Sequence, residues 1–317
     1  MYEALPVEIW TQIHALACTD DGFSGRALSL VSKDWRTISA PFKLQSIALV
    51  GALPIMRFLC ILDSIPESVR NIQCLFIGCP NLRLTASRLD LAQERARGLD
   101  FTDKLFPELG ITPYTHRLQI HPDAIAQTVV RILQRTASTL RTLHTHLVFL
   151  GRPGPLYSIS LRHVRTLVLH GPFASPSPSL SPIFPNLRRL RLASSTTTTK
   201  GAVLLTTIAA AAPRLSHLYL SHTACTRKDL ERALEHSNLR NLTRLVVEVG
   251  ASRRSHSPPN NHATDESLEH AGFLRLARTD GRVRIVAEKR WWVDVQAALI
   301  EWEEADELQW DERVELE

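Results

Sequence analysis

The sequence predicts an α/β protein: a short group of three helices at the amino terminus, then a curved solenoid with a parallel sheet inside and helices outside. Two observations carry this prediction. A helix-periodic stretch with breakers and a proline stop occupies about Leu5 to Leu44. A spaced aliphatic motif then recurs along most of the remaining chain at intervals suited to one strand and one return per repeat. At 317 residues and 44% hydrophobic content the chain can bury a large core, and one extended domain plus a small cap suits it better than two compact halves.

The amino-terminal helices follow from local rules. Pro6 fits a first turn, where a backbone N–H is unpaired in any case, and Ile9, Ile13, Leu16 and Ala17 recur at helical spacing, so a helix is expected from about Pro6 to Ala17. Asp20, Asp21, Gly22, Ser24 and Gly25 read as a breaker cluster. Leu28 and Val31 share a face of a second helix, and Ser32 is an N-cap for a third that carries Trp35 and Ile38 and stops near Pro41. Three helices in about forty residues bury little core, so their apolar face needs a partner or the following domain to cover it.

LPVEIW at Leu5 to Trp10, followed by ALSLVSKDW at Ala27 to Trp35, resembles an F-box. The resemblance covers about Leu5 to Leu44. It departs from the family where TDDGFSGRAL, with two glycines, stands in place of an acidic-leucine step into the second helix. The resemblance implies docking on a Skp-type adaptor and, through it, a cullin, with Leu5, Pro6, Ile9, Ile13, Leu28, Val31 and Trp35 as adaptor-binding residues. The competing reading is a helical cap in which the proline and tryptophan are only structural.

The repeat is read as L-x-x-L-x-L with any aliphatic allowed. Copies fall at Leu44/Ile47/Leu49, Val69/Ile72/Cys74, Val164/Leu167/Leu169, Leu187/Leu190/Leu192, Leu215/Leu218/Leu220 and Leu242/Leu245/Val247, with weaker ones at Leu140/Leu143 and Leu118/Ile120. The spacing is in the range of leucine-rich repeats, a family this part of the chain resembles. Helical returns are expected at Asp123 to Ala137, Lys200 to Ala212, Thr226 to His236 and Asp265 to Arg278. Arg282 to Glu288 is expected to add the last strand. Residues 1–43 are thus an F-box-like helical domain, 44–290 a repeat solenoid with an insertion near 80–113, and 291–317 an acidic carboxy-terminal helix. That helix either caps the solenoid with Trp292, Val295, Leu299 and Trp302 or binds a partner. Gly171 to Pro185, Ser194 to Thr199 and Ala251 to Asp265 read as loops, the last as disordered.

Because side chains alternate along a strand, the residues between the inward aliphatics face the open side of the sheet. One row is Thr142, Thr166, Arg189, His217 and Arg244, and a second is His144, Val168, Arg191, Tyr219 and Val246. Arg189, Arg191, His217, Tyr219 and Arg244 are the candidate target-binding residues, suited to an acidic or phosphorylated protein target because guanidinium forks bind carboxylate and phosphate in bidentate fashion. Ordinary solvated sheet residues are the alternative reading.

Composition removes other classes. Five cysteines, an odd number without CxxC spacing, argue for reduced thiols in cytoplasm or nucleus and against a structural zinc. The most apolar stretch, Leu44 to Leu62, is broken by Pro54 and Arg57, so no membrane span is expected. The amino terminus has no secretory pattern. Glu301 to Glu317 holds nine acids and one arginine, a net of −8, so residues 1–300 carry +13 of the overall +5. The basic residues, 31 Arg and 6 Lys, are dispersed, which argues against nucleic acid. No GxSxG, GxxxxGK[ST] or HExxH occurs, and the 13 histidines have no metal-ligand spacing. Neither catalysis nor a cofactor is expected. The expected function is substrate recognition in a Skp-cullin-F-box ubiquitin ligase, and the alternative is a repeat-based interaction scaffold acting outside a ligase.

Overall fold

The computed structural model describes residues 5–20, 22–79, 122–147, 159–170, 182–193, 201–221, 225–235, 239–249 and 263–287. Their contacts divide the chain into two compact units, Met1–Leu140 with His146–Leu150, and Arg141–Thr145 with Gly151–Glu317. The architecture is α/β, and every strand pair described below is parallel.

In the first unit three helices, α1 (Val7–Ala17), α2 (Phe23–Val31) and α3 (Lys33–Ser39), precede β1 (Ser46–Val50), α4 (Ala52–Ser64) and β2 (Cys74–Gly78), and α5 (Pro122–Thr136) follows. Pro6 stands at the N-cap of α1, and the Ser32 hydroxyl accepts from the Trp35 N–H at 3.2 Å to cap α3, which ends two residues before Pro41. The breaker cluster is shorter than expected, because Ser24 and Gly25 lie inside α2. The Asp20 carboxylate accepts from the N–H groups of Gly22 (3.0 Å) and Ser24 (2.9 Å), which turns the chain at once. Gly22 enters α2 at φ +90°, a region costly for any residue with a Cβ. Gly25 packs so closely that a Cβ would stand 2.9 Å from the Lys43 Cα. Both glycines of TDDGFSGRAL therefore have a structural reason, one for the turn and one for the approach of α2 to the segment entering β1.

Helix α4 was not expected. Its sequence, ALPIMRFLCILDS, buries Ile55, Met56, Phe58, Leu59 and Leu62, and Pro54 is tolerated because it sits in the first turn. It packs on β1 and on α5, and Asp63 faces Arg135 at 2.9 Å and Arg131 at 3.5 Å.

The repeat frame in this unit differs from the sequence reading by three residues. β1 and β2 pair with Ser46 beside Cys74, Ile47 beside Leu75 and Leu49 beside Ile77. The partner of Leu44/Ile47/Leu49 is thus Ile72/Leu75/Ile77, not Val69/Ile72/Cys74. Val69 lies in a 3-10 turn, Glu67–Val69, and is exposed, whereas Ile72, Leu75 and Ile77 are fully buried. The motif matched in the wrong frame because Val, Ile and Cys satisfied it by chance, while Pro66 opens the 3-10 turn that keeps Val69 out of the strand.

In the second unit the strands follow chain order: β3 (Thr142–His146), β4 (Thr166–His170), β5 (Arg189–Ala193), β6 (His217–Ser221), β7 (Arg244–Val249) and β8 (Val283–Ala287). The helices are α6 (Gly201–Ala211), α7 (Arg227–Glu235) and α8 (Ala263–Thr279); α7 packs on both α6 and α8, and α8 on β8. The weak copy at Leu140/Leu143 is a genuine repeat. Leu143, Leu167, Leu190, Leu218 and Leu245 lie buried in successive strands, so one aliphatic column forms the core of the unit. Helix α7 begins with a reciprocal cap in which Thr226 Oγ1 accepts from the Asp229 N–H and the Asp229 carboxylate accepts from the Thr226 N–H (3.1 Å) and hydroxyl (2.9 Å). Asparagines before the first leucine of a repeat staple neighbours together: the Asn186 amide donates to the Arg162 carbonyl at 2.7 Å and that of Asn241 to the Pro213 carbonyl at 2.8 Å.

The insertion at 80–113, the copy at Leu118/Ile120, the loop at Ser194 to Thr199 and the carboxy-terminal helix lie outside the described residues. So do most of Gly171 to Pro185 and of Ala251 to Asp265, though the end of the latter, from Ala263, already belongs to α8.

The Gly25→Ala variant tests the close approach of α2. Alanine gains about 1 kcal/mol in helix propensity, but overpacking against backbone that cannot swing aside costs about 1–3 kcal/mol. A lowered denaturant midpoint is expected for Gly25→Ala. Little change is expected for Gly281→Ala, where a Cβ meets nothing within 4 Å.

Candidate functional site

Two surfaces hold the residues singled out in the sequence. The first is on the amino-terminal helices. Inside them, the rings of Trp10 and Trp35 lie 4.9 Å apart and those of His14 and Trp35 5.0 Å apart. His14 and Cys18, one and two turns beyond Trp10, are buried. The Gln45 amide donates to the Ala15 carbonyl at 3.0 Å and the Arg36 guanidinium to the Ser29 carbonyl at 3.0 Å, which fixes the three helices to each other and to the entry of β1. Burial also pulls the His14 pKa down, as expected for an imidazole between two indoles.

The inward stripe of α1 is therefore half-buried Trp10 with buried His14 and Cys18, and the apolar stripe points to solvent. Leu5, Ile9 and Ile13 are exposed, and Leu16 is 77% exposed; on α2 Leu30 is 77%, Phe23 66% and Val31 64% exposed. With Val7, eight of the twelve exposed large apolar side chains among the described residues fall between Leu5 and Val31. Concentration in so short a segment distinguishes a patch from the scattered apolar residues of any surface. Pro6 is exposed beside it, while Leu28 and Trp35 are half-buried, Trp35 being engaged by Trp10 and His14. Phe23 escaped the sequence reading because it opens α2 where a breaker is expected, and Leu30 because Leu28 and Val31 alone mark the apolar face of that helix.

The second surface is the open face of the sheet. The pairing places Thr166, Arg189, His217 and Arg244 side by side, and Val168, Arg191, Tyr219 and Val246 in the next row, as the alternation rule requires. The two rows differ in access. Thr142, Thr166, Arg189, His217 and Arg244 are all half-buried, but His144, Val168 and Val246 of the second row are buried, leaving only Arg191 and Tyr219 partly open. The basic surface available to a partner is thus narrower than the sequence implied.

Arg191 and Tyr219 also engage each other. The guanidinium carbon stands 4.4 Å from the centroid of the Tyr219 ring, a cation–π arrangement. The Tyr219 hydroxyl donates to Glu248 at 3.1 Å. Glu248 is buried and comes from a third row, beside Ser221, that the motif did not reach. Burial lowers the Arg191 pKa while Tyr219 and Glu248 hold its charge, and burial, with Glu248, raises that of Tyr219. Burial and the Arg191 charge together depress His144 to about 3, so this imidazole is neutral in the folded protein at neutral pH.

The cysteines act as packing residues. All five are free thiols, and burial pushes Cys79 up to about 11, away from reactive thiolate. Among the described residues no three His, Cys, Asp or Glu side chains converge as metal ligands would, and no helix is long and apolar enough to cross a membrane.

His144 gives a pH prediction. Its folded pKa, about 3, lies below the unfolded value of about 6.5, so the unfolded chain binds the extra proton and stability falls as pH drops from about 6.5 toward about 3. The slope approaches about 1.4 kcal/mol per pH unit in mid-window. Denaturant unfolding of the protein and of His144→Gln between pH 7 and pH 4 should show a smaller acid loss for the variant. Parallel pH profiles would remove His144 as the cause.

No protein-family model matches this sequence, and no curated protein matches it significantly.

Proposed function

We propose that this chain is the substrate-recognition subunit of a Skp-cullin-F-box ubiquitin ligase, working by tethering rather than by chemistry. The amino-terminal helices dock on the Skp-type adaptor, and the leucine-rich-repeat-like sheet holds a protein target near the ubiquitin-charged enzyme, raising its effective concentration there. The observation that carries this reading is the exposed apolar face of α1 and α2, on helices that already pack together through Trp10, His14 and Trp35. Each such side chain gains about 1.5–3 kcal/mol when fully covered, and the patch coincides with the segment whose sequence resembles an F-box. Partner burial gives those residues a role that folding of the chain alone does not.

The target-binding part rests on Arg189, flanked by Thr166 and His217 on the half-open row. Its fork suits a carboxylate or phosphate on the target. Arg191, Tyr219 and Glu248 engage one another beside that row.

Co-expression with a Skp-type adaptor, followed by pull-down and calorimetry, tests the docking. One-to-one binding is expected, weakened at least 100-fold by Ile9→Glu with Leu16→Glu; both side chains are exposed, so the melting temperature should hold. Absence of binding by the folded chain, or full binding by the variant, would leave a repeat scaffold outside any ligase. Arg189→Glu should reduce target recovery in cells while adaptor binding is unchanged. Arg191→Glu is the poorer probe, since it sets a second carboxylate near Glu248 and would destabilise the sheet.

A further inference from the structure

At the edge where strands β3, β4 and β5 are entered, Arg141, Arg165 and Arg188 occupy equivalent positions, each directly before its strand. The Arg165 N–H donates to the Arg141 carbonyl at 2.7 Å and the Arg188 N–H to the Arg165 carbonyl at 2.9 Å. Neighbouring parallel strands lie about 4.8 Å apart, so three guanidinium side chains rise from one ladder at that spacing. With His163, Asn186 and Arg214 they line a cleft of about 280 Å³. All three ladder arginines, Arg214 and His163 are exposed.

The charges in this cleft are not neutralised within the described residues. No carboxylate among them lies within ion-pair distance of the four guanidiniums, although ion pairs form elsewhere, as at Asp63 and Asp280. Arg214 is held by a neutral group: its guanidinium donates to the Asn186 side-chain oxygen at 2.8 Å, while the Asn186 amide donates to the Arg162 carbonyl at 2.7 Å. Asn186 therefore positions Arg214 over the cleft without cancelling its charge. Like charges side by side on adjacent strands repel, and guanidinium forks convert such a cluster into donors suited to the oxygens of phosphoryl groups.

We propose that this cleft binds a multiply charged phosphoryl group, at a site separate from the open-face row that contains Arg189. The side chains act as a clamp, with Arg165 and Arg188 at its centre and Arg141 and Arg214 on either side. The site does not depend on adaptor docking and stands or falls apart from it.

Tripolyphosphate is the probe for calorimetry and thermal melting of the full chain. Saturable one-to-one binding and a rise in melting temperature are expected, with no comparable rise in sodium chloride of equal ionic strength. Arg165→Gln with Arg188→Gln should weaken binding at least tenfold. A phosphoserine peptide that displaces tripolyphosphate would assign the group to a protein ligand, and failure to displace it would assign the group to a small molecule. Absence of a saturable melting shift in the unaltered protein overturns the proposal even if the double variant does not fold. Equal binding by a folded double variant overturns it too.

Discussion

The parallel register of the strands is the constraint on which the rest of the second unit depends. Pairing Thr166 with Arg189, His217 and Arg244 fixes at the same time which side chains line the core and which reach the open face. A slip of one residue would turn Leu167, Leu190, Leu218 and Leu245 toward solvent, and the loss of that buried column makes the register all but obligatory. The same backbone ladder, continued one residue upstream of the strands, aligns Arg141, Arg165 and Arg188. A single hydrogen-bonding pattern therefore builds a core, an open-face row and a basic edge.

The amino-terminal helices solve a different problem. They are too few to bury an aliphatic face as well as a core, and their contact is made by aromatic rings, with Trp10 and Trp35 packed against the buried His14. Excluding an imidazole from water is costly, and neither of its nitrogens has a hydrogen-bond partner among the described residues. Gly22 and Gly25 make this packing possible by letting α2 start abruptly and lie against the backbone at Lys43. What remains for solvent is the aliphatic stripe, which is why tight internal packing and an exposed apolar face occur together in so small a unit.

On the sheet, charge is managed by depth. Arg191 is drawn onto Tyr219 and toward Glu248, and its positive field helps keep His144 neutral. One row outward, Arg189 and His217 remain partly open. A cluster of basic residues that reads as uniform in sequence thus holds one arginine, Arg191, that is tied to a neighbouring ring and set near a buried acid.

Local rules, applied to the sequence alone, determined most of the element pattern: the start of α1 at Pro6, the cap at Ser32, the four helical returns, the last strand and the alternation that sets Arg189 beside His217. These depend on short-range sterics and hydrophobic period, which one chain segment carries by itself. The frame of β2 was not legible, since Val69, Ile72 and Cys74 satisfy the motif as well as Ile72, Leu75 and Ile77, and only pairing with β1 separates them. Nor was the side of α1 that faces inward, because an amphipathic stripe marks a face without saying what covers it, and Trp10 and His14 won the interior through rings supplied by another helix. Access along the sheet, the Glu248 contact and the arginine cleft were likewise decided by tertiary structure, because each depends on residues more than twenty positions apart in the chain meeting across strands.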